Sequence, residues 1–510
     1  MSDEAAERQR SKGRDGVRRP VPGQLTLVFA DSDPDGTSDG KGETTPRRGV
    51  SPKRAVLLQR AKGKGRDQTG TEGDLLERIA DEGNLARALL SVVRNKGAAG
   101  IDGQTVVDAE EQSDALLSDL HQALLSERYR PQPVRRVTVP KPDGGGDRDL
   151  GVPTVRDRVV QQAMLHVLEP LFDPGFHEAS CGFRKGRGAQ QAVSLTCAHL
   201  EAGYRVVVDL DLSKFFDRVH HQRLLARIEM KVTDRRILRL IRMMLKAKVA
   251  MSDGVHVANE QGTSQGGPLS PLLSNIVLDE LDWELARRGL RHVRYADDFL
   301  VFVRSQRAGV RVMASLRCFI ERRLRLKIND SKSGVIQPDQ ASFLGFRFEC
   351  KDHGGIAVWP SKKSYQRISR KIRELIPCNW GNSLEAVFAQ TNLYLRGWMA
   401  HFRLCTEEAE WAFHVLDAHC RRRVRAIIVR HKKRRRYLRR HLLKRGISWR
   451  AATGAAYRCR GVWRASNHPG MVRGYPTAWF KPRLASLKQR WKELNPKPLG
   501  PNEQEQLVLL

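Results

Sequence analysis

Two stretches far apart in this chain put aspartates at the ends of runs that water should not reach. Residues 204–212 are β-branched and apolar and predict a buried strand, with Asp211 near its end in Val208-Asp-Leu-Asp211-Leu-Ser-Lys-Phe-Phe-Asp217. Residues 292–295 and 299–303 predict two short strands joined across Ala296-Asp-Asp298, a hairpin with Asp297 and Asp298 on its tip. If these strands are neighbours in one sheet, three carboxylates converge at its edge. A lone Asp-Asp in a turn is ordinary turn chemistry. Here apolar flanks surround the acids, and like charges among buried residues are costly without a cation. Asp209 shares the face of Asp211 by strand alternation but lies further from the strand end, and Asp217 reads as a cap for the next helix. Two Mg²⁺ ions are the expected partners, because hard cations take carboxylate oxygens and a metal pair about 3.5–4 Å apart serves phosphoryl transfer.

Around these acids the pattern alternates between helix and strand. Leu75, Leu76, Ile79, Leu85, Ala88, Leu89 and Val92 recur at helical spacing, and the run ends in the glycine-rich Asn95-Lys-Gly-Ala-Ala-Gly-Ile-Asp-Gly103. Residues 133–139 predict a strand and Lys141-Pro-Asp-Gly-Gly-Gly146 a tight turn. Thr154 opens a helix with Asp157 as the acidic partner of its cap, and Ser270-Pro271 opens another with a capping hydroxyl. Residues 1–70 are rich in Gly, Pro, Ser and charge and predict disorder, apart from a short apolar run at 25–30.

Charge then narrows the partner. The chain has 510 residues with 90 Lys+Arg against 57 Asp+Glu, a formal net charge of +33 that calls for a polyanion. Eight cysteines lie scattered with no C-x-x-C pair, which argues against zinc ribbons and disulfide scaffolds and suits a reducing cytosol. No apolar run approaches a membrane span, so no membrane partner is expected. Beyond about residue 350 the composition shifts. Seven of the nine tryptophans lie past Arg370, and residues 421–450 hold fifteen Lys/Arg without one Asp or Glu. Trp398, Trp411, Trp449, Trp463 and Trp479 beside arginines offer stacking surfaces for RNA, although most tryptophans should be core.

Tyr295-Ala-Asp-Asp298 resembles the Tyr-x-Asp-Asp signature of reverse transcriptases, and Asp211-x-x-x-Phe-Phe-Asp217 resembles their first catalytic motif. Gln261-Gly-Thr-Ser-Gln-Gly-Gly-Pro-Leu-Ser-Pro271 is similar to their nucleotide-binding loop and helix. Ser180-x-Gly-Phe-Arg-x-x-Arg187, Asn329-x-x-Lys-Ser333 and Leu344-Gly-Phe346 match further blocks in order. Residues 95–103 resemble the N-terminal block of bacterial group II intron-encoded reverse transcriptase/maturases, and Tyr394-Leu-Arg-Gly-Trp-x-x-x-Phe402 resembles their maturase motif. The resemblance spans roughly residues 73–480, and seven or more motifs in order are specific. Cys181, Lys185, Ser213 and Ser264 depart from the family's usual residues, but none removes a metal ligand.

The resemblance implies an α+β right-hand polymerase. Its expected parts are a disordered tail at 1–70, fingers and palm at 71–349, a helical thumb and maturase region at 350–445, and a basic nucleic-acid-binding extension at 446–510. Asp211, Asp297 and Asp298 would hold the two Mg²⁺, with the Leu212 carbonyl as a further ligand. Lys141, Arg148, Phe216, Gln265 and Lys332 would bind the nucleotide. The alternatives are that Lys141 and Arg148 are surface cations, that Lys332 is merely solvated, and that Phe216 joins Phe215 in the core. Gly266 and Gly267 would let substrate approach the backbone closely. Arg184, Arg187, Arg396, Trp398, Lys432, Lys433, Arg434 and Arg435 would contact nucleic acid. The implied partners are group II intron RNA, target DNA with its primer and deoxynucleoside triphosphates, in the bacterial cytoplasm. The C-terminal end lacks the paired cysteines and histidines of an endonuclease, so none is expected. The rival readings are a domesticated reverse transcriptase in defence or repair, and an RNA-binding splicing factor with a decayed polymerase.

Overall fold

The structure, a computed structural model, describes residues 52–62, 74–140, 146–251, 256–257, 261–377 and 383–496, with the backbone alone at Pro52, Lys62, Arg148 and His256. Lys141, most of the 141–146 turn and the 25–30 run lie outside the described residues. The first helices, Pro52–Lys62, Leu75–Ala80, Glu82–Arg94 and Ser113–Leu125, pack with Val155–Phe172. Their shared core contains Leu76, Ile79, Leu85, Leu89, Leu117, Leu120 and Val159. The expected tail is corrected at its end, because Leu57 of the helix Pro52–Lys62 is buried in this core. Arg60 pairs with Asp114 at 3.0 Å, so partners distant in sequence hold a helix that its own composition conceals.

Ten strands form three sheets among the described residues: β1 (Val134–Pro140), β2 (Asp147–Val152), β3 (Val206–Leu210), β4 (Val249–Ala250), β5 (His256–Val257), β6 (Arg291–Tyr295), β7 (Asp298–Val303), β8 (Gly334–Ile336), β9 (Phe346–Cys350) and β10 (Ile356–Pro360). The fingers sheet has the order β2-β1-β4-β5, the palm sheet β6-β7-β3-β8, and β9-β10 form a hairpin. In the palm sheet β3 runs antiparallel to β7, with Asp209 opposite Leu300 and Leu210 opposite Phe299.

That palm sheet is buried on both faces. Val206, Val208, Leu210, Phe299, Val301 and Val303 join the first core, together with Leu272, Ile276 and Leu281 of the helix Ser270–Arg287. Val207, Val293, Leu300 and Phe302 face a second core. It is built from Val193 on Ala189–Glu201, Ile368 on Lys362–Leu375, Leu395 on Leu384–His401 and Phe413 on Glu410–His431. Double burial is why these strands read as continuous apolar runs instead of alternating ones. The second core continues through Ile447, Met471, Tyr475 and Trp491, so neither 349/350 nor 445/446 divides separate cores.

Three local expectations change. The Thr154 hydroxyl does accept from the Asp157 N–H at 3.1 Å. The Asp157 carboxylate, however, turns away to accept from Tyr129 Oη at 2.6 Å and the Gln132 N–H at 3.1 Å. Ser270 does not cap its helix; its hydroxyl donates to the Ser264 carbonyl at 2.8 Å and ties down the preceding loop. Asp217 lies inside the short helix Phe215–Arg218, and the cap of the following helix His221–Glu229 is His220.

Candidate active site

The acids meet where β3 and β7 end together. Continuing the register past Leu210 and Phe299 sets Asp211 across from Asp298. Asp298 begins β7, and Asp297 follows Ala296 in the two-residue turn after β6. Ala296 holds φ +59°, a backbone conformation uncommon for residues other than glycine. Such strain persists only where surrounding structure enforces it.

The electrostatics follow the same crowding. Desolvation, followed by repulsion from Asp297, Asp211 and Asp209, pushes the Asp298 carboxyl up to about 7. Residue 298 is itself exposed at the rim, so water tempers the first cause, while the repulsion is what a cation relieves. Burial and then Asp211 raise Asp209 to about 6. Asp211 is braced by the Asn329 side-chain amide, which donates to its Oδ2 at 2.8 Å. Its own N–H donates to Ser333 Oγ at 2.9 Å, and the Asn329 N–H donates to its carbonyl at 2.8 Å. The Lys332 ammonium lies 3.4 Å from Asp211 Oδ2. Leu212 is buried and bridges to Ile328. Among the described residues no three such side chains close into a preformed cage. A carboxyl raised by burial and then by three neighbouring carboxylates, at an open sheet end, nevertheless fits divalent cations.

The family model for reverse transcriptase (RNA-dependent DNA polymerase) matches residues 139–348, and that for the group II intron maturase-specific domain matches residues 365–446. Protein YkfC of Escherichia coli (strain K12) is 33% identical over 314 residues, covering 54% of this chain and 82% of YkfC. The chain belongs to the group II intron-encoded reverse transcriptase/maturases. The group II intron-encoded protein LtrA of Lactococcus lactis subsp. cremoris is 28% identical over 357 residues, covering 57% of this chain and 59% of LtrA. A partial Cas6-RT-Cas1--Cas2 complex overlaps 49% of this chain at 25% identity, with a TM-score of 0.33. As a reverse transcriptase the chain is an RNA-directed DNA polymerase, and its domain family generally uses divalent metal ions.

Within this reverse transcriptase, Phe215 is core and Phe216 is half-buried, its ring 5.2 Å from that of Phe215. Gln265 is half-buried in its loop, and its carbonyl accepts from the Gly151 N–H of β2 at 2.9 Å. At Gly266, with φ +136°, a Cβ would lie 2.7 Å from the Gly151 carbonyl oxygen, so the fingers sheet itself requires glycine there. Arg148 pairs with Val139 in the fingers hairpin.

The expected nucleic-acid contacts divide. Arg184 is corrected to an internal clamp: it is buried, its Nε donates to Asp173 Oδ1 at 2.6 Å, and Nη1 donates to the His177 and Ser180 carbonyls. No donor is left for a phosphate. Trp398 is half-buried, its ring 4.3 Å from that of Phe402 and 6.1 Å from that of Phe413, so part of it serves the core. Arg187 bonds the Glu178 carbonyl and stays half-buried, whereas Arg396 is exposed. Lys433 and Arg434 are exposed and Lys432 half-buried, beside Tyr437 and Arg440 on one concave basic surface, and Arg435 is exposed next to them in sequence. Trp411 and Trp449 are the exposed stacking candidates, at 70% and 63%.

Part of the 421–450 charge is absorbed internally. Arg422 stacks 4.1 Å over Trp463, and Arg423 donates to the Ile376 carbonyl at 2.7 Å. Arg425 is buried, and its Nε donates to the Ser466 carbonyl at 3.0 Å. Sequence reasoning placed Asp209 on the Asp211 face but missed the brace of Asn329 and the fully buried Arg294 of β6. The signal for Arg294 was an arginine inside a buried strand.

Proposed function

We propose that the chain copies its host group II intron RNA into DNA with two Mg²⁺ held by Asp211, Asp297 and Asp298, the Leu212 carbonyl being a further ligand. We infer that it also grips the intron RNA to assist splicing and mobility. The observation that carries this is the crowding of carboxylates at Asp298, which a pair of cations relieves. Bound there, the ions supply a lowered pKa for the primer 3′-hydroxyl and neutralise triphosphate charge.

The chain's own residues do the rest. Asn329 and Ser333 hold Asp211 in register with Asp298. Lys332 offers an ammonium beside Asp211 and gives a proton to the departing pyrophosphate. Phe216 walls the sugar, and a 2′-hydroxyl collides with its ring, so deoxynucleotides are selected by exclusion. Gln265 touches the nucleotide, while Lys141 and Arg148 hold its triphosphate as point charge and planar fork. Arg187, Arg396 and Lys432–Arg435 neutralise phosphates of the intron RNA, target DNA and primer. The site of action is the bacterial cytoplasm; no helix among the described residues is long and apolar enough to cross a membrane.

Primer extension on an RNA template with Mg²⁺ tests the polymerase. Wild type should extend and Asp297→Ala should not; equal extension by both ends the reading. Splicing at low Mg²⁺ tests the grip. An intron that splices equally well without protein removes that role.

A further inference from the structure

We propose that Arg294 is a positioning residue for the reaction: it fixes the strained turn that carries Asp297 by holding the Ala296 carbonyl from behind the palm sheet. The inference rests on the polymerase reading above. Arg294 is on β6, fully buried at 0% exposure. All five of its N–H groups are used. Nε donates to Asp282 Oδ1 at 2.9 Å, and Nη2 donates to Asp282 Oδ2 and Ser180 Oγ, both at 2.6 Å. Nη1 donates to Asn275 Oδ1 at 2.9 Å and to the Ala296 carbonyl at 3.0 Å.

That last acceptor separates this arginine from an ordinary buried ion pair. The Ala296 carbonyl belongs to the peptide bond leading into Asp297, and Ala296 is the residue at φ +59°. Fixing this carbonyl sets the plane from which the Asp297 side chain departs. The other side of the turn is closed as tightly. A Cβ on Gly182 would lie 2.2 Å from the Ala296 nitrogen, and Asn275 Nδ2 donates to the Gly182 carbonyl at 2.9 Å. Main-chain bonds from Cys181 N–H to the Arg294 carbonyl and from Arg294 N–H to the Ala179 carbonyl, each 2.9 Å, hold segment and strand together. The helix Ser270–Arg287 supplies Asn275 and Asp282, so a rigid rod, a loop and the catalytic hairpin converge on one guanidinium. A lysine has three donors on a single nitrogen and cannot span Asp282, Ser180, Asn275 and Ala296 together.

The test is Arg294→Lys in the full chain, which keeps a charge for Asp282 but releases the turn. Steady-state primer extension should lose about tenfold or more in kcat, with KM for the nucleotide and Kd for template–primer within about twofold. Amide hydrogen exchange in a peptide spanning 295–299 should quicken, while exchange in 270–287 holds. Unchanged kcat and unchanged exchange at the turn overturn the proposal, as does a rise in KM with kcat intact. If Arg294→Lys does not fold, Asn275→Ser decides, because it frees one donor and the Gly182 tie while leaving the Asp282 pair; kcat should fall with faster turn exchange. Failure of both variants to fold also overturns it, since the network would then determine the fold and not the turn. A wild type that fails to extend primers sinks the polymerase reading instead, which keeps the two failures distinct.

Discussion

At the end of the palm sheet, Asp209, Asp211, Asp297 and Asp298 are pressed together by strand register. Along the helices Glu410–His431 and Arg435–Lys444, cations crowd just as densely in sequence but spread round helical faces. Asn329 and Lys332 brace Asp211, yet the neighbouring carboxylates still repel Asp298, whose burial and crowding push its carboxyl up to about 7. Among the bases, Arg422, Arg423 and Arg425 spend their charge on an aromatic face and carbonyls, leaving Lys433, Arg434 and Arg435 to solvent. The lesson is one of rigidity. Like charges fixed on strands make a preorganised site for a small hard ion; like charges on helix faces make a diffuse, salt-sensitive surface for a large polyanion.

The comparison breaks first at the acids. Asp297→Ala should lower primer extension by about 10³-fold, since several kcal/mol of transition-state stabilisation is lost. Binding of the same RNA, followed by filter retention, should stay within about twofold. Neutralising Lys433, Arg434 and Arg435 together to Gln should do the reverse. RNA affinity should fall by roughly tenfold or more, and the slope of log K against log salt should shrink by about 2, while extension of a preformed saturating template–primer is kept.

A substitution inside the absorbed part of the basic run sharpens the contrast. Arg425→Met leaves the Ser466 and Tyr475 carbonyls without that donor and should cost about 1–3 kcal/mol in denaturant unfolding. The salt slope of RNA binding should not move. Burial and then neighbouring Arg421 and Arg422 lower Arg425 to about 10, which marks it as structural despite its sign.

The smallest effect is one of pH. Asp298 rises from an unfolded value near 3.9 to about 7, so the folded state binds its proton more tightly. Its contribution to stability is therefore complete below about pH 4 and is lost as pH climbs through about 7. Mg²⁺ competes with that proton, so the rise in melting temperature on adding Mg²⁺ should be about a few degrees larger at pH 8 than at pH 5.5.

Much of this was legible because it is local. The β-branched run before Asp211, the hairpin around Asp297 and the Thr154 cap each follow from neighbouring residues. The misses share a different origin. Arg184, Ser270 and Asp157 look like a free cation, a cap and a cap partner in sequence, but each finds a partner that only tertiary structure brings near. Trp398 looks like an open platform, but its half-buried ring packs against Phe402, one helical turn on, and meets Phe413 edge-on. The Pro52–Lys62 helix was hidden because only Leu57 of its apolar run Val56-Leu57-Leu58 is buried, and its other ties, such as Arg60 to Asp114, are to residues distant in sequence.

The shared second core also bears on descent. Val207, Leu300 and Phe302 on the catalytic sheet lean on the same apolar interior as Phe413, Met471 and Trp491. A lineage that abandoned its intron and trimmed the now idle RNA-gripping half would strip the polymerase of its greasy underside and invite aggregation. Copying and gripping thus share one folded body, and neither half can be cut away without baring apolar surface on the other.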